Sequence, residues 1–284
     1  MIKNKKNRFI IKKFLFNIYF FFYNLLPNRK LSNYFFYTKS DKYYNYPELY
    51  NTINQFVGKN KKNTILEIGI GGHDLDYEGG NSLLGLSYYF KNSKIFGMDL
   101  IDKSFLNSSR IKTLIGSQNN IKTLNRFGKK FGPFDLIIDD GSHFANHQIT
   151  SFENLFKYLK DGGLYIIEDL GGSYKKSSNG DPLLSSKNNV VEYFSRLVHS
   201  TNSHRLIKKI KTKLKFIDIS NIYFFKNAIL IIKKIKMNEK SFDNKLAFQK
   251  LSLLNKNRKI ITLHKKKIKP FKTKEGLIKF TSKD

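Results

Sequence analysis

From Thr64 onward, short apolar runs alternate with helix-like stretches, and this rhythm restricts the fold more than any other feature of the chain. Thr64–Ile70 (TILEIGI), Ile95–Leu100 (IFGMDL), Ile111–Ile115, Phe134–Asp139 (FDLIID) and Leu164–Glu168 (LYIIE) read as five strands. Helices are expected over Asn81–Phe90, capped by Asn81 or Ser82, and through Gln148–Leu159. Strands that are apolar throughout are buried on both faces, so the sheet is expected to be parallel and covered by helices on each side. The polar loop Gly171–Ser186 interrupts the alternation, and Val190–Ser200 resumes it as a helix. Phe216–Phe225 and Ala228–Ile235 are separated only by Lys226 and Asn227. So tight a connection cannot make a parallel crossover and predicts an antiparallel hairpin. The expectation is a doubly wound α/β fold: a mostly parallel seven-stranded sheet with a C-terminal antiparallel hairpin.

That domain is taken as residues 46–236. A basic and aromatic extension (1–45) precedes it and a basic extension (237–284) follows, the latter with fourteen Lys/Arg against four acids. At 284 residues and 40% hydrophobic composition, the chain can bury one full α/β core. The absence of cysteine excludes disulfides and thiolate chemistry, and suits the cytoplasm. A formal charge of +30 invites a nucleic-acid reading. Lys far outnumbers Arg, however, and phosphate recognition favours the planar Arg fork, so nucleic acid is not the expected partner.

Residues 1–40 hold nine Lys/Arg and no acid around the aromatic run Phe14–Leu26. That run is too short to span a bilayer, which needs about 20 residues, and no small-residue cleavage site follows it. Two readings stand for residues 2–30. One is an interfacial helix at the inner membrane surface; the other is a helix packed on its own domain or on a second copy of the chain.

Glu67-Ile-Gly69-Ile-Gly71-Gly72 closes the first strand, where glycines let the backbone approach a ligand at the carboxyl edge of the sheet. Asp74 stands where a nicotinamide fingerprint needs its third Gly, which argues against NAD. An acid two residues before the first Gly suits a cationic ligand such as S-adenosylmethionine. Asp99 ends the second strand, placed to accept ribose hydroxyls, and Gly116-Ser117-Gln118 ends the third, where adenine would lie. Two acidic pairs, Asp139-Asp140 and Glu168-Asp169, end adjacent strands. Three or four carboxylates in one crevice repel one another, and a hard divalent cation such as Mg²⁺ or Mn²⁺ would resolve the repulsion. His143 lies three residues past Asp140, placed to take a proton, with His147 one helical turn further on.

These segments resemble the macrocin and mycinamicin type of sugar O-methyltransferases, a Rossmann-like group of S-adenosylmethionine-dependent enzymes. The matching stretches are Leu66–Gly72, Gly79-Gly80-Asn81-Ser82-Leu83, Gly97–Ser104, Gly116-Ser117-Gln118, Ile138–His143 with His147, and Ile167-Glu168-Asp169-Leu170. The resemblance implies that Asp140, Glu168 and Asp169 ligate Mg²⁺ and that His143 is the general base. It also implies a cofactor pocket lined by Glu67, Gly69, Gly71, Ser82, Asp99, Ser117, Gln118 and Asp140, and a sugar-containing acceptor. The family's G-T-D-K reads here as Lys39-Ser40-Asp41-Lys42, and its T-S-Y-W as Gly172-Ser173-Tyr174-Lys175, so the acceptor cannot be carried over. Competing readings are a methyltransferase acting on RNA, an amine or a phenol, and a membrane-peripheral protein that keeps only the fold.

Overall fold

A computed structural model describes residues 2–27, 29–72, 75, 77–182, 189–205, 218–235, 269–272 and 278–281. Its sheet has the order β3-β2-β1-β4-β5-β7-β6. β1 (Thr64–Ile68), β2 (Lys94–Asp99), β3 (Ile111–Ile115), β4 (Phe134–Asp139) and β5 (Leu159–Glu168) run parallel. β7 (Ala228–Lys233) is antiparallel to both β5 and β6 (Ile219–Phe225). The seven-stranded sheet with its closing hairpin is therefore as expected. Lys226 and Asn227 form the hairpin turn, with Asn227 at φ +60° as a two-residue connection demands. The expected start of that strand, Phe216 and Ile217, lies outside the described residues.

Alternate side chains of each central strand feed two separate cores. Ile65, Leu136, Ile138, Leu164, Ile166 and Leu230 face one side; Leu66, Ile68, Ile137, Tyr165, Ile167 and Ile229 face the other. The first core is covered by α1 (Ile2–Tyr23), α2 (Leu31–Thr38), the short α3 (Lys42–Asn45), α4 (Pro47–Thr52) and α5 (Asn81–Tyr89). α6 (Ile121–Phe131), α7 (Ala145–Leu155) and α8 (Val190–Leu197) cover the second. Burial on both faces is what the continuous apolar runs demand.

Three local expectations are corrected. Gly80, at φ +72°, rather than Asn81 or Ser82, is the N-cap of α5, because the Ser82 hydroxyl donates to Glu67 Oε2 at 2.9 Å instead. α7 begins at Ala145, ahead of Gln148. Asp161-Gly162-Gly163 is not a turn before β5 but lies within it, where the register against β4 shifts and Gly162 takes φ +77°.

Met1–Ile235 form one compact unit, with Phe20, Leu31, Tyr34 and Phe35 of α1 and α2 inside the first core. Lys236–Asp284 form a second unit, described only at β8 (Lys269–Lys272) and β9 (Ile278–Thr281), an antiparallel pair. The rest of the basic C-terminal extension lies outside the described residues. No helix among the described residues is long and apolar enough to cross a membrane.

Candidate active site

Strand order reverses at β1, which pairs with β2 on one side and β4 on the other, so a crevice opens at their carboxyl ends. A cleft of about 650 Å³ occupies that position. Its wall includes Gly69, Gly71, Asp99, Ser117, Gln118 and Asp140 from the expected cofactor set, with His143, His147 and Asp169 at one end. Gly69 takes φ +79°, and a Cβ there would collide with the carbonyl of Asp140, so only glycine lets β1 and β4 leave the sheet side by side. Asp99 closes the loops around the cleft: Oδ2 accepts from Ile70 N at 2.9 Å and Oδ1 from Ile101 N at 3.1 Å. Gln118 bridges to the acidic end, donating to Asp139 Oδ1 (3.0 Å) and accepting from Ser142 N (2.6 Å).

Glu67 and Ser82, expected in the same pocket, lie behind the cleft wall. Glu67 is fully buried and turns towards Lys42, whose Nζ is 3.3 Å from its Oε1. Lys42 is the residue that sequence reasoning missed. Also fully buried, its ammonium donates to Asp140 Oδ2 at 2.6 Å and to Glu168 Oε2 at 2.7 Å. The other Glu168 oxygen accepts from the Tyr50 hydroxyl. Burial opposes the charge on Lys42, but Asp140, Glu168, Tyr50 and Glu67 outweigh it and push its pKa well up. Burial likewise raises Glu168, and pushes Glu67 up to about 7 against the pull of Lys42. One ammonium among three carboxylates leaves this end of the sheet short of positive charge.

Asp140 Oδ2 is held by Lys42, which leaves its other oxygen for the cleft. Ligand atoms of Asp140, His143 and Asp169 lie within 4.8 Å of one another, a spacing that would admit a cation. Asp169 is fixed from two directions: Oδ1 accepts from Tyr46 Oη at 2.6 Å and from Asn227 Nδ2 at 2.7 Å. His143 Nε2 lies 3.6 Å from Asp169 Oδ2. Both residues adopt left-handed backbone, His143 at φ +59° and Asp169 at φ +54°, a strain that persists only where surrounding contacts impose it. Of the three acids implied as metal ligands, the structure brings Asp140 and Asp169 together. Glu168 is engaged by Lys42 and Tyr50, and the imidazole of His143 lies beside the two cleft-facing acids. His147 Nδ1 pairs with Ser142 Oγ at 2.8 Å and braces the loop instead of joining the cluster.

Lys39-Ser40-Asp41-Lys42 aligned with a family motif, but its role was not evident, since Lys42 meets Glu168 across 126 positions of sequence. Tyr46, Tyr50 and Asn227 carried no signal at all: tyrosines abound in this chain, and Asn227 reads simply as a turn residue.

No protein-family profile matches the chain. It is 43% identical over 116 residues to the mycinamicin VI 2''-O-methyltransferase of Micromonospora griseorubida, covering 41% of this chain and 29% of that protein. Against the demethylmacrocin O-methyltransferase of Streptomyces fradiae it is 43% identical over 123 residues, or 43% and 31% of the two lengths. A tetracenomycin rhamnosyl 3'-O-methyltransferase of Streptomyces olivaceus is 48% identical over 110 residues, 39% of this chain and 28% of the relative. The matches therefore span less than a third of each relative. Among solved structures, the MycE methyltransferase of the mycinamycin pathway, in complex with Mg, SAH and mycinamycin VI, superposes with a TM-score of 0.67 at 26% identity. That likeness covers 79% of this chain and 60% of MycE. The chain is thus similar over 110–123 residues to macrocin- and mycinamicin-type O-methyltransferases, and shares the fold of MycE over 79% of its length.

Proposed function

We propose that the protein is an S-adenosylmethionine-dependent, Mg²⁺-assisted O-methyltransferase acting in the cytoplasm on a sugar hydroxyl of a glycan or glycosylated metabolite. One observation carries the reading. A single cleft joins the glycine-lined crevice and Asp99 to the cluster of Asp140, His143 and Asp169. The O-methyltransferases named above, one of them named for a rhamnosyl-bearing substrate, support it.

Asp140 and Asp169 fit Mg²⁺, which is commonly held by one or two carboxylates with water completing the shell. Bound there it would acidify an alcohol, while S-adenosylmethionine supplies the electrophilic methyl group. The chain's own work is positioning and proton transfer. Gly69 and Gly71 let the cofactor approach β1, and Asp99 accepts the ribose hydroxyls with the lone pairs its backbone bonds leave free. His143 Nε2 takes the acceptor's hydroxyl proton as the oxygen–carbon bond forms and the carbon–sulfur bond breaks. Asp169, 3.6 Å away, then stabilises the imidazolium.

The test is to incubate the protein with methyl-labelled S-adenosylmethionine and separated glycan, glycolipid and RNA fractions, with and without Mg²⁺. Label should enter a sugar-containing fraction, require Mg²⁺, and be lost with Asp99→Ala. Label in RNA, or full labelling after chelation, overturns the proposal.

A further inference from the structure

α1 is apolar on two opposite sides, and only one of them is used. Towards the domain it presents Phe9, Phe16, Phe20 and Tyr23. Phe20 is buried, stacked against Tyr34 at 5.1 Å and Tyr88 at 4.4 Å between ring centroids. Away from the domain, Ile10, Ile11, Phe14, Leu15, Phe21 and Phe22 are each more than half exposed, at 53–66%. At about 100° per residue these six fall within an arc of about 140°, diametrically opposite the packed aromatics. An apolar stripe of this size is not left in water without a partner.

Charge identifies the partner. On the same helical projection Arg8 borders one edge of the stripe and Lys6 the other, with Lys12 and Lys13 further round towards the domain, and residues 1–40 contain no acid. A second copy docked face to face would bring two such rows of cations together with nothing to neutralise them. An anionic bilayer supplies what both parts need: headgroup charge for the two edges and acyl chains for the stripe between. The helix cannot cross that bilayer, so it lies along it.

We propose that this face of α1 docks the protein flat on an anionic lipid surface, with Phe14, Phe21 and Phe22 at headgroup depth. Two hydrogen bonds link the helix towards the cleft. Lys12 Nζ donates to Asn81 Oδ1 at 3.1 Å, and Asn81 Nδ2 to the carbonyl of Lys39 at 3.1 Å, two residues before Asp41 on the cleft wall. Docking requires no catalysis, so it stands or falls independently of methyl transfer.

Flotation of the full chain tests it, using vesicles of phosphatidylcholine alone and of equal parts phosphatidylcholine and phosphatidylglycerol. The protein should rise with the anionic vesicles and stay in the dense layer with the neutral ones. Lys6→Gln and Arg8→Gln should each weaken partitioning about fivefold. Phe14→Ser/Phe21→Ser/Phe22→Ser should abolish flotation while the thermal melt is unchanged, because Phe20 and its packed neighbours are untouched. The proposal is overturned if the wild type stays down with anionic vesicles, or if it floats equally with both kinds. It is also overturned if neither the charge variants nor the triple variant weakens flotation. A chain that is dimeric without lipid, made monomeric by the triple variant and never floated, would give this face to a second copy instead.

Discussion

The Lys42 ammonium lies between two strand ends, 2.6 Å from Asp140 Oδ2 and 2.7 Å from Glu168 Oε2, and so ties β4 to β5 at the cleft. Removing one partner of a buried ionic cluster strands the others, at a cost of about 3–5 kcal/mol. Lys42→Met should lose stability on that scale in a denaturant titration. Adding Glu168→Gln should recover part of it, since one fewer charge is then left uncompensated. A Lys42→Met protein that unfolds at the wild-type denaturant concentration would mean that the cluster does not hold the strands.

Metal binding separates the two acids that face the cleft from the one that faces Lys42. In calorimetric titration with Mg²⁺, Asp140→Asn and Asp169→Asn should each weaken affinity roughly tenfold to a hundredfold. Glu168→Gln should change it little, because its oxygens are engaged by Lys42 and Tyr50. Chelation should abolish turnover. If Glu168→Gln loses Mg²⁺ as fully as Asp140→Asn, Glu168 belongs to the coordination shell.

Much of the fold was legible because the strands are apolar on both faces, and only a parallel core covered by helices satisfies that pattern. The hairpin was legible because two residues cannot cross a sheet. The cleft was read from residue types at successive strand ends: Gly69, Asp99, Ser117 and Asp140 all line it. What escaped was long-range compensation. Local pattern shows that the pairs Asp139-Asp140 and Glu168-Asp169 converge, but a lysine at position 42 announces nothing about meeting Asp140 and Glu168. The same limit applied to Asp169, whose orientation depends on Tyr46 and on Asn227 of the hairpin turn. The N-terminal aromatics looked like one undivided run, and only the packed structure divides Phe20 from Phe21.

His143 offers a clean test of proton transfer, because its left-handed backbone restricts which replacement is informative. Asn tolerates φ near +60° better than most residues, so His143→Asn removes the imidazole with little added strain. The maximal rate should fall about 10²–10⁴-fold, and cofactor affinity should be nearly unchanged. His147→Ala should cost far less, since that ring braces Ser142. A larger loss from His147→Ala would reassign the base.

Asp139 should make stability depend on pH in the direction opposite to that of an ordinary salt-bridged acid. It is fully buried among Gln118, Ser151 and Tyr165, and that burial pushes its carboxyl up to about 7 although hydrogen bonds from Ser151, Gln118 and the Gly141 backbone oppose the shift. In the unfolded chain an Asp titrates near 3.9. Between those values the folded protein holds a proton that the unfolded chain has released, so stability falls as pH rises through the window. The contribution is complete below about pH 4 and gone above about pH 7. Asp139→Asn imitates the protonated acid: its carbonyl accepts from Gln118 Nε2 and its amide donates to Ser151 Oγ. The melting-temperature gap between variant and wild type should therefore be small at about pH 5 and widen with pH. At about pH 8 the variant should melt about 3–6 °C higher, the shift expected for about 1–2 kcal/mol in a domain of this size. Glu67, raised in the same direction, remains in the variant and should preserve part of its slope. A gap that stays constant from acid to alkaline pH would show that Asp139 is ionised in the folded protein throughout.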